Sequence, residues 1–551
     1  MKLSTLRRAS SSLAIAWLIV ITGGRCAIAQ NSGPTTAGAA SRPYAFTRVA
    51  TLGDSAPGGG FHITDFEPGA INNLGEVIYG TDLGTSKDPG TWIGEGVFLR
   101  RPGQKELELA RSTGAAPGGG LFDTLLLGAT SINDAGDAAF AFTLQPFGQP
   151  VGVNSGVYRL ASSGNTRNVS PVVLSEVTPA PGGGKFKGVA FNTILNERGD
   201  ILFTGIIATD KGIHVPDQDY TGLGVGVFKA DALGRITSIV SPGDPAPGGG
   251  VFDHGGSSGA GGAWINKAGD VAFTAHVAGE ETLFPNPPFP SQAELISALG
   301  SVYFKDALTG TVRSIAHVGE AAPGGGVFRE IPSLALNNSG DIAFVGDITP
   351  KPDINQFLNV YLHSGNTTVA VARAGDAMPG GGHFVRSGFG TSMNNSGDVV
   401  VNALLDTQTD GVPDTGLYVW SRGTMRLIAR SGTVIPGVGK VSLTTTGTGI
   451  VPPPPAGALF PFVAPINDRG QLLFGATLTD GQGVLLLATS ADINGDGTVD
   501  CADVAMVTTA LGTQAGQPGW DVRADVIADG VIDVRDLAFV SQQLPVGTRC
   551  K

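Results

Sequence analysis

Cysteine is scarce: three in 551 residues, at positions 26, 501 and 550. A scaffold stitched by many disulfides is therefore excluded. Charge is sparse too, at 15% of residues with a net of −12, and no dense Lys/Arg stripe interrupts it, which argues against a nucleic-acid surface. After the first 30 residues no second long apolar run follows, so no transmembrane span is expected in the mature chain. The chain has no H-E-x-x-H pair and no G-x4-G-K-[ST] loop. Its seven histidines occur singly, without the i, i+4 spacing of a helical metal pair.

Glycine is what the chain has in excess, 84 residues, but without a Gly-X-Y period, so a collagen helix is excluded. The start reads as an export leader: Lys2, Arg7 and Arg8, an apolar run over 13–21, then Ala27-Ile28-Ala29 before Gln30. We expect a signal peptide over 1–29, a flexible leader over 30–43, and a secreted or cell-surface location. Cleavage would leave Cys501 and Cys550, a natural disulfide pair in an oxidising compartment.

The phrase GDSAPGGGF (53–61) returns at Pro117, Pro181, Pro247, Pro323 and Pro379, and in degraded form at Pro436. The interval is about 63 residues, which points to an internal-repeat fold. A second phrase, apolar-Asn-x-x-Gly, follows each time, with its asparagine at 72, 133, 196, 266, 337, 394 and 467. In the second unit four strands are expected, over 121–132, 138–144, 156–160 and 169–177, with Asn-x-x-Gly as the tight turn between the first two. The fold class expected is mainly β: a seven-bladed propeller over 44–490, followed by a small α-helical module over 491–551. A lone strand at 44–52 and a last unit ending at 483–489 imply that the first strand completes the last blade. The glycine phrase then marks the crossover from each outer strand to the next inner strand, where backbone passes close to a neighbour.

Crossovers and second-to-third-strand loops share one face, where binding is expected. Behind the crossover aromatic come His62, Asp123, Lys187, Asp253, His254, Arg329, Glu330 and Arg386, read as a ring at the channel mouth. Asp123, Asp253, His254 and Glu330 are the candidate acid–base groups; His62, Lys187, Arg329 and Arg386 are candidate ligand contacts. The loop at 206–224 adds Asp217, Asp219 and Tyr220. This N-terminal pairing of phrases resembles a broad group of uncharacterised secreted bacterial repeat proteins.

At 491 the composition changes. Asp492, Asn494, Asp496, Thr498 (by its carbonyl), Asp500 and Asp503 stand at positions 1, 3, 5, 7, 9 and 12 of a calcium loop, with Gly497 at the sharp turn. A second copy carries Asp525, Asp529, Val531 (carbonyl), Asp533 and Asp536, but Ile527 occupies position 3. Two such loops, each followed by a helical pattern, resemble a type I dockerin. The resemblance implies Ca2+ as the bound ion and a cohesin module, on a scaffold or cell surface, as partner. It also implies an association with polysaccharide. The expected function is a propeller that binds a ligand, with a glycan expected, anchored by the dockerin; a polysaccharide hydrolase or lyase, or a non-catalytic surface structural protein, are the alternatives.

Overall fold

The computed structural model describes residues 44–145, 155–163, 166–210, 222–255, 262–278, 300–349, 358–388, 390–409, 412–443, 464–496 and 498–550. Seven antiparallel sheets follow one another in chain order, each with its strands laid side by side in sequence. The second blade has Leu121–Ile132, Ala138–Gln145, Ser155–Ser163 and Thr166–Leu174. Its first strand, innermost in the blade, packs on the first strands of both neighbours. The first strand matches the expectation and the second runs one residue longer; the third is longer at both ends than 156–160, and the fourth lies three residues earlier than 169–177.

The ring closes as the lone first strand implied. Tyr44–Thr51 pairs antiparallel with Gly483–Ser490, from Tyr44 opposite Ser490 to Thr51 opposite Val484. The first strand made thus serves as the outer strand of the last blade, and no blade is left with an open edge there.

The glycine phrase is the outer-to-inner crossover. Gly58, Gly59 and Gly60 have φ of 80°, 102° and 84°, three consecutive residues in a region that L side chains rarely enter. A Cβ on Gly60 would also lie 2.8 Å from the Gly84 carbonyl oxygen. Arg111 clamps the loop by donating from Nη2 to the carbonyls of Pro57 (2.8 Å) and Gly59 (2.9 Å), and Arg430 does the same to Gly380 and Gly381.

The Asn-x-x-Gly turns lie at the other end of the inner strands, and their asparagines link the blades. Asn72 Oδ1 accepts from the backbone N–H of Leu74 and Glu76, tying its own turn. Its Nδ2 donates to the Asn133 carbonyl at 2.9 Å; Asn133 reaches Asn196, Asn196 reaches Asn266, and Asn266 reaches Asn337. Asn394 donates to Asn467, and Asn467 closes the circle on Asn72 at 2.8 Å. Between the fifth and sixth blades the link is Asn338 N–H to Asn395 Oδ1, 2.8 Å.

Adjacent blades share apolar cores. In blade 2, Phe122, Phe140 and Tyr158 pack against Ile78, Val97 and Leu99 of blade 1. The C-terminal module has helices Cys501–Ala510 and Val534–Gln542 around Ile493, Val507, Val526, Ile532 and Val540, with Cys501 and Cys550 joined.

Asn133 is 1% exposed, so truncating it strands both a carbonyl of blade 3 and a turn N–H. We expect Asn133→Ala to cost about 2–3 kcal/mol in urea unfolding, while Asn168→Ala, on an exposed outer-strand position, stays within about 0.5 kcal/mol.

Candidate functional site

The crossovers place the anticipated rim residues, but not in one ring. Counting from each proline, the crossover aromatic is Phe122, Phe186, Phe252, Phe328 or Phe384, and in the first unit the same place holds His62. His62 is 1% exposed and meets Phe98 edge-on at 4.9 Å, as Phe122 meets Tyr158. It fills the blade core, with Nε2 on Glu106 at 3.1 Å, rather than facing a channel mouth.

One place further on, partners come from the same blade or its crossover. Asp123 accepts from Gln145 Nε2 at 2.6 Å, Asp253 pairs with His276 Nδ1 at 2.7 Å, and Arg329 pairs with buried Asp347. Lys187 Nζ donates to Glu176, 3.1 Å away in its own crossover. Glu330 is 8% exposed; burial, then the charge of Asp347, pushes its carboxyl up to about 8, against the pull of Arg329. Burial lowers Arg386 from its ordinary value. His254 belongs to the strand Phe252–Gly255, but its side chain lies outside the described residues, as do Asp217, Asp219 and Tyr220.

What gathers instead is a carboxylate cluster at the seam of blades 1 and 2, in which Asp123 is joined by Asp65, Glu67, Asp82 and Glu95. Its origin is the broken register of strand Leu121–Ile132, which slips between Phe122 and Leu125 and again before Thr130. The slips turn backbone N–H groups out of the ladder, and acids of blade 1 accept them: Leu125 N–H by Glu95 at 2.6 Å, Gly128 N–H by Glu67 at 2.8 Å. Burial, then repulsion from Asp65 and Asp82, drives Glu67 up to about 8 despite the Gly128 N–H. Glu95 is pushed well above its ordinary value, by burial and then by Asp82. Asp65, on the same strand as Glu67, is exposed and lies in the field of Asp82. Beside them the indole of Trp92 is 48% exposed and donates to Asp82 Oδ1 at 2.8 Å, while Thr64, at φ 66°, donates to the other Asp82 oxygen.

Such a group can hold a proton on one carboxyl near neutral pH while others accept hydrogen bonds, next to an exposed aromatic face. The signal for it was an acid at two facing positions of unit 1, a pair that none of the next five units repeats. Where unit 1 has Asp82 the next five have Thr143, Ile206, His276, Asp347 and Leu404; where it has Glu95 they have Ser155, Val225, Gly300, Leu358 and Thr415. A separate apolar cavity of about 40 Å³, lined by residues such as Phe66, Leu417, Leu443 and Phe474, contains none of this chemistry.

In the C-terminal module each loop ends by capping a helix. Asp500 and Asp533 are the N-caps, and Asp503 and Asp536 accept back from their N–H groups. Asp503 also accepts from the N–H groups of Ile493 and Asn494, so the twelfth loop residue folds over the first turn of the loop. The first loop offers four carboxylates, the Asn494 amide oxygen and the Thr498 carbonyl, an all-oxygen set that suits a hard cation of calcium's size. The second fits less well. Ile527 brings no side-chain oxygen, and the Arg535 guanidinium sits on Asp529 (2.5 Å) and Asp533 (2.8 Å).

A family model covering residues 27–491 matches the chain. The chain belongs to DUF7453, a family of unknown function. A type I dockerin domain matches residues 490–545. Type I dockerins bind calcium and dock onto cohesins, so this DUF7453 chain ends in an anchoring module. Comparison with curated proteins finds no match. Among solved structures, Pyrococcus horikoshii acylaminoacyl peptidase is similar at 10% identity, covering 75% of this chain and 49% of that one, TM-score 0.40. Oligogalacturonate lyase from Vibrio parahaemolyticus stands at 12%, 81%, 97% and 0.41. Trypanosoma rangeli sialidase stands at 10%, 86%, 63% and 0.33. The DUF7453 chain spans about half the peptidase's length, and likenesses this distant transfer no activity.

Because Glu67 is raised when folded, the native state holds an extra proton between the ordinary glutamate value and about 8. Its contribution is therefore complete at acid pH and lost as pH rises through that window. The melting temperature should fall from pH 5 to 8, and Glu67→Gln should flatten the decline; an unchanged slope in the variant would remove Glu67 as its source.

Proposed function

We propose that this protein is exported and binds a hydroxyl-rich carbohydrate at the seam of blades 1 and 2, while its dockerin ties it through calcium to a cohesin-bearing scaffold or cell surface. The observation that carries the ligand half is the exposed Trp92 ring beside Asp82 and its neighbouring carboxyls. An aromatic face covers the apolar side of a sugar ring, and adjacent carboxyl oxygens take its hydroxyls. The basic and apolar leader ending at Ala29 supports export, and the joined Cys501–Cys550 pair fits an oxidising compartment.

A second reading, a polysaccharide hydrolase or lyase at the same seam, is favoured by the packing of Glu67 beside Asp65 and Asp82, where burial and like charge push its carboxyl up to about 8 and leave it suited to act as a general acid.

The full chain screened against a glycan panel, for retention and for released reducing ends or unsaturated products, separates the two. Retention without turnover, weakened about tenfold by Trp92→Ala, is expected. Retention indifferent to Trp92→Ala would refute the seam as the binding place, and turnover lost in Glu67→Gln would replace binding by catalysis.

A further inference from the structure

The second dockerin loop faces the propeller. Thr47, on the strand that closes the ring, donates its hydroxyl to the Ile527 carbonyl. Gly530 meets Gly103 of blade 1 so closely that a Cβ on it would lie 2.7 Å from the Gly103 Cα. Ala528 packs against the shared core of blades 7 and 1. Arg469, from the Asn-x-x-Gly turn of blade 7, donates Nη2 to the Val522 carbonyl at 2.5 Å, and its charge attracts Asp525 and Asp521.

These contacts come from three parts of the ring: the closing strand, the turn of blade 1 and the turn of blade 7. All three meet the segment 522–530, the first half of the second loop. Meanwhile two of the second loop's carboxylates already hold a cation. Arg535 bridges Asp529 and Asp533, at positions 5 and 9, while Asp525, at position 1, accepts the backbone N–H groups of Asp529 and Gly530. A guanidinium fits carboxylates in a fixed fork and neutralises them without needing the oxygen that Ile527 cannot supply.

We infer that the second loop is a calcium-free clasp: Arg535 takes the place of the ion, and the loop fastens the module to the seam where the ring closes, leaving one calcium site per chain, in the first loop. Removing calcium would then loosen the first loop and its helix while the module stays seated. The anchor keeps a fixed orientation to the propeller instead of swinging on a tether. This rests on the anchoring half of the proposed function and is independent of any carbohydrate, so a failed glycan screen leaves it standing.

The test is calorimetric titration of Ca2+ into the full chain after chelator stripping. One ion per chain is expected, reduced to none by Asp496→Ala and unchanged by Asp529→Ala. Two ions in the wild type, no ion, or a loss in Asp529→Ala would overturn it. For the clasp, hydrogen exchange of the full chain in chelator should leave amides 522–530 slowed by about a hundredfold relative to an unfolded chain. Gly103→Val should remove that protection, and Arg469→Ala serves as a second variant if Gly103→Val does not fold. Unprotected 522–530 amides in the wild type would refute the docking.

Discussion

The asparagine carboxamide at the end of each inner strand is the contact on which the ring depends. It has two ends and uses both. The oxygen ties the turn that reverses its own blade, and at six junctions the nitrogen reaches the backbone of the next blade, while between blades 5 and 6 the Asn338 N–H makes the link. A propeller stacks sheets face to face, and apolar faces alone slide with little penalty. A directed bond from blade to blade, closed from Asn467 back to Asn72, fixes the rotation between sheets. The group is buried, so losing a bond means an unpaired donor rather than one returned to water. Asparagine is therefore required for its side chain; the positive φ in the turn belongs to the glycine, as at Gly75.

Much of the architecture was legible because it repeats. The phrase ending in three glycines fixes where an outer strand leaves for the next blade, and the steric demand of three successive positive φ values keeps it readable. The lone leading strand and the truncated last unit foretold the pairing of Tyr44–Thr51 with Gly483–Ser490. The aromatic slot was misjudged in one unit: His62 was taken as a polar rim residue because it follows Phe61, whereas register puts it in the slot that phenylalanine fills elsewhere. A polar side chain in a core column reads as exposed until the columns are aligned.

The seam of blades 1 and 2 was invisible for a different reason. Four of its five acids come from three strands of blade 1, and what draws two of them inward is a slip of register in the neighbouring blade. No spacing within blade 1 encodes that slip. Repeats conceal function in this way: the scaffold dominates the pattern, and chemistry lies where one unit departs from it. The dockerin shows the converse. Its ligand spacing is local and was read directly, while the unsuitable position at Ile527 gained meaning from the strand and turns that lie against that loop.

The seam of the ring also sets an order of events. Gln482 and Leu52, hydrogen-bonded across it, are 430 residues apart in the chain. A chain threaded outward from its amino end presents Tyr44–Thr51 early and must keep that ribbon uncommitted until nearly everything else has emerged. Premature partners, including another copy's unfinished last blade, compete for the same hydrogen bonds throughout that wait. The segment that follows blade 7 is the module whose loop lies against Thr47, so the fastening arrives just as the circle can be completed.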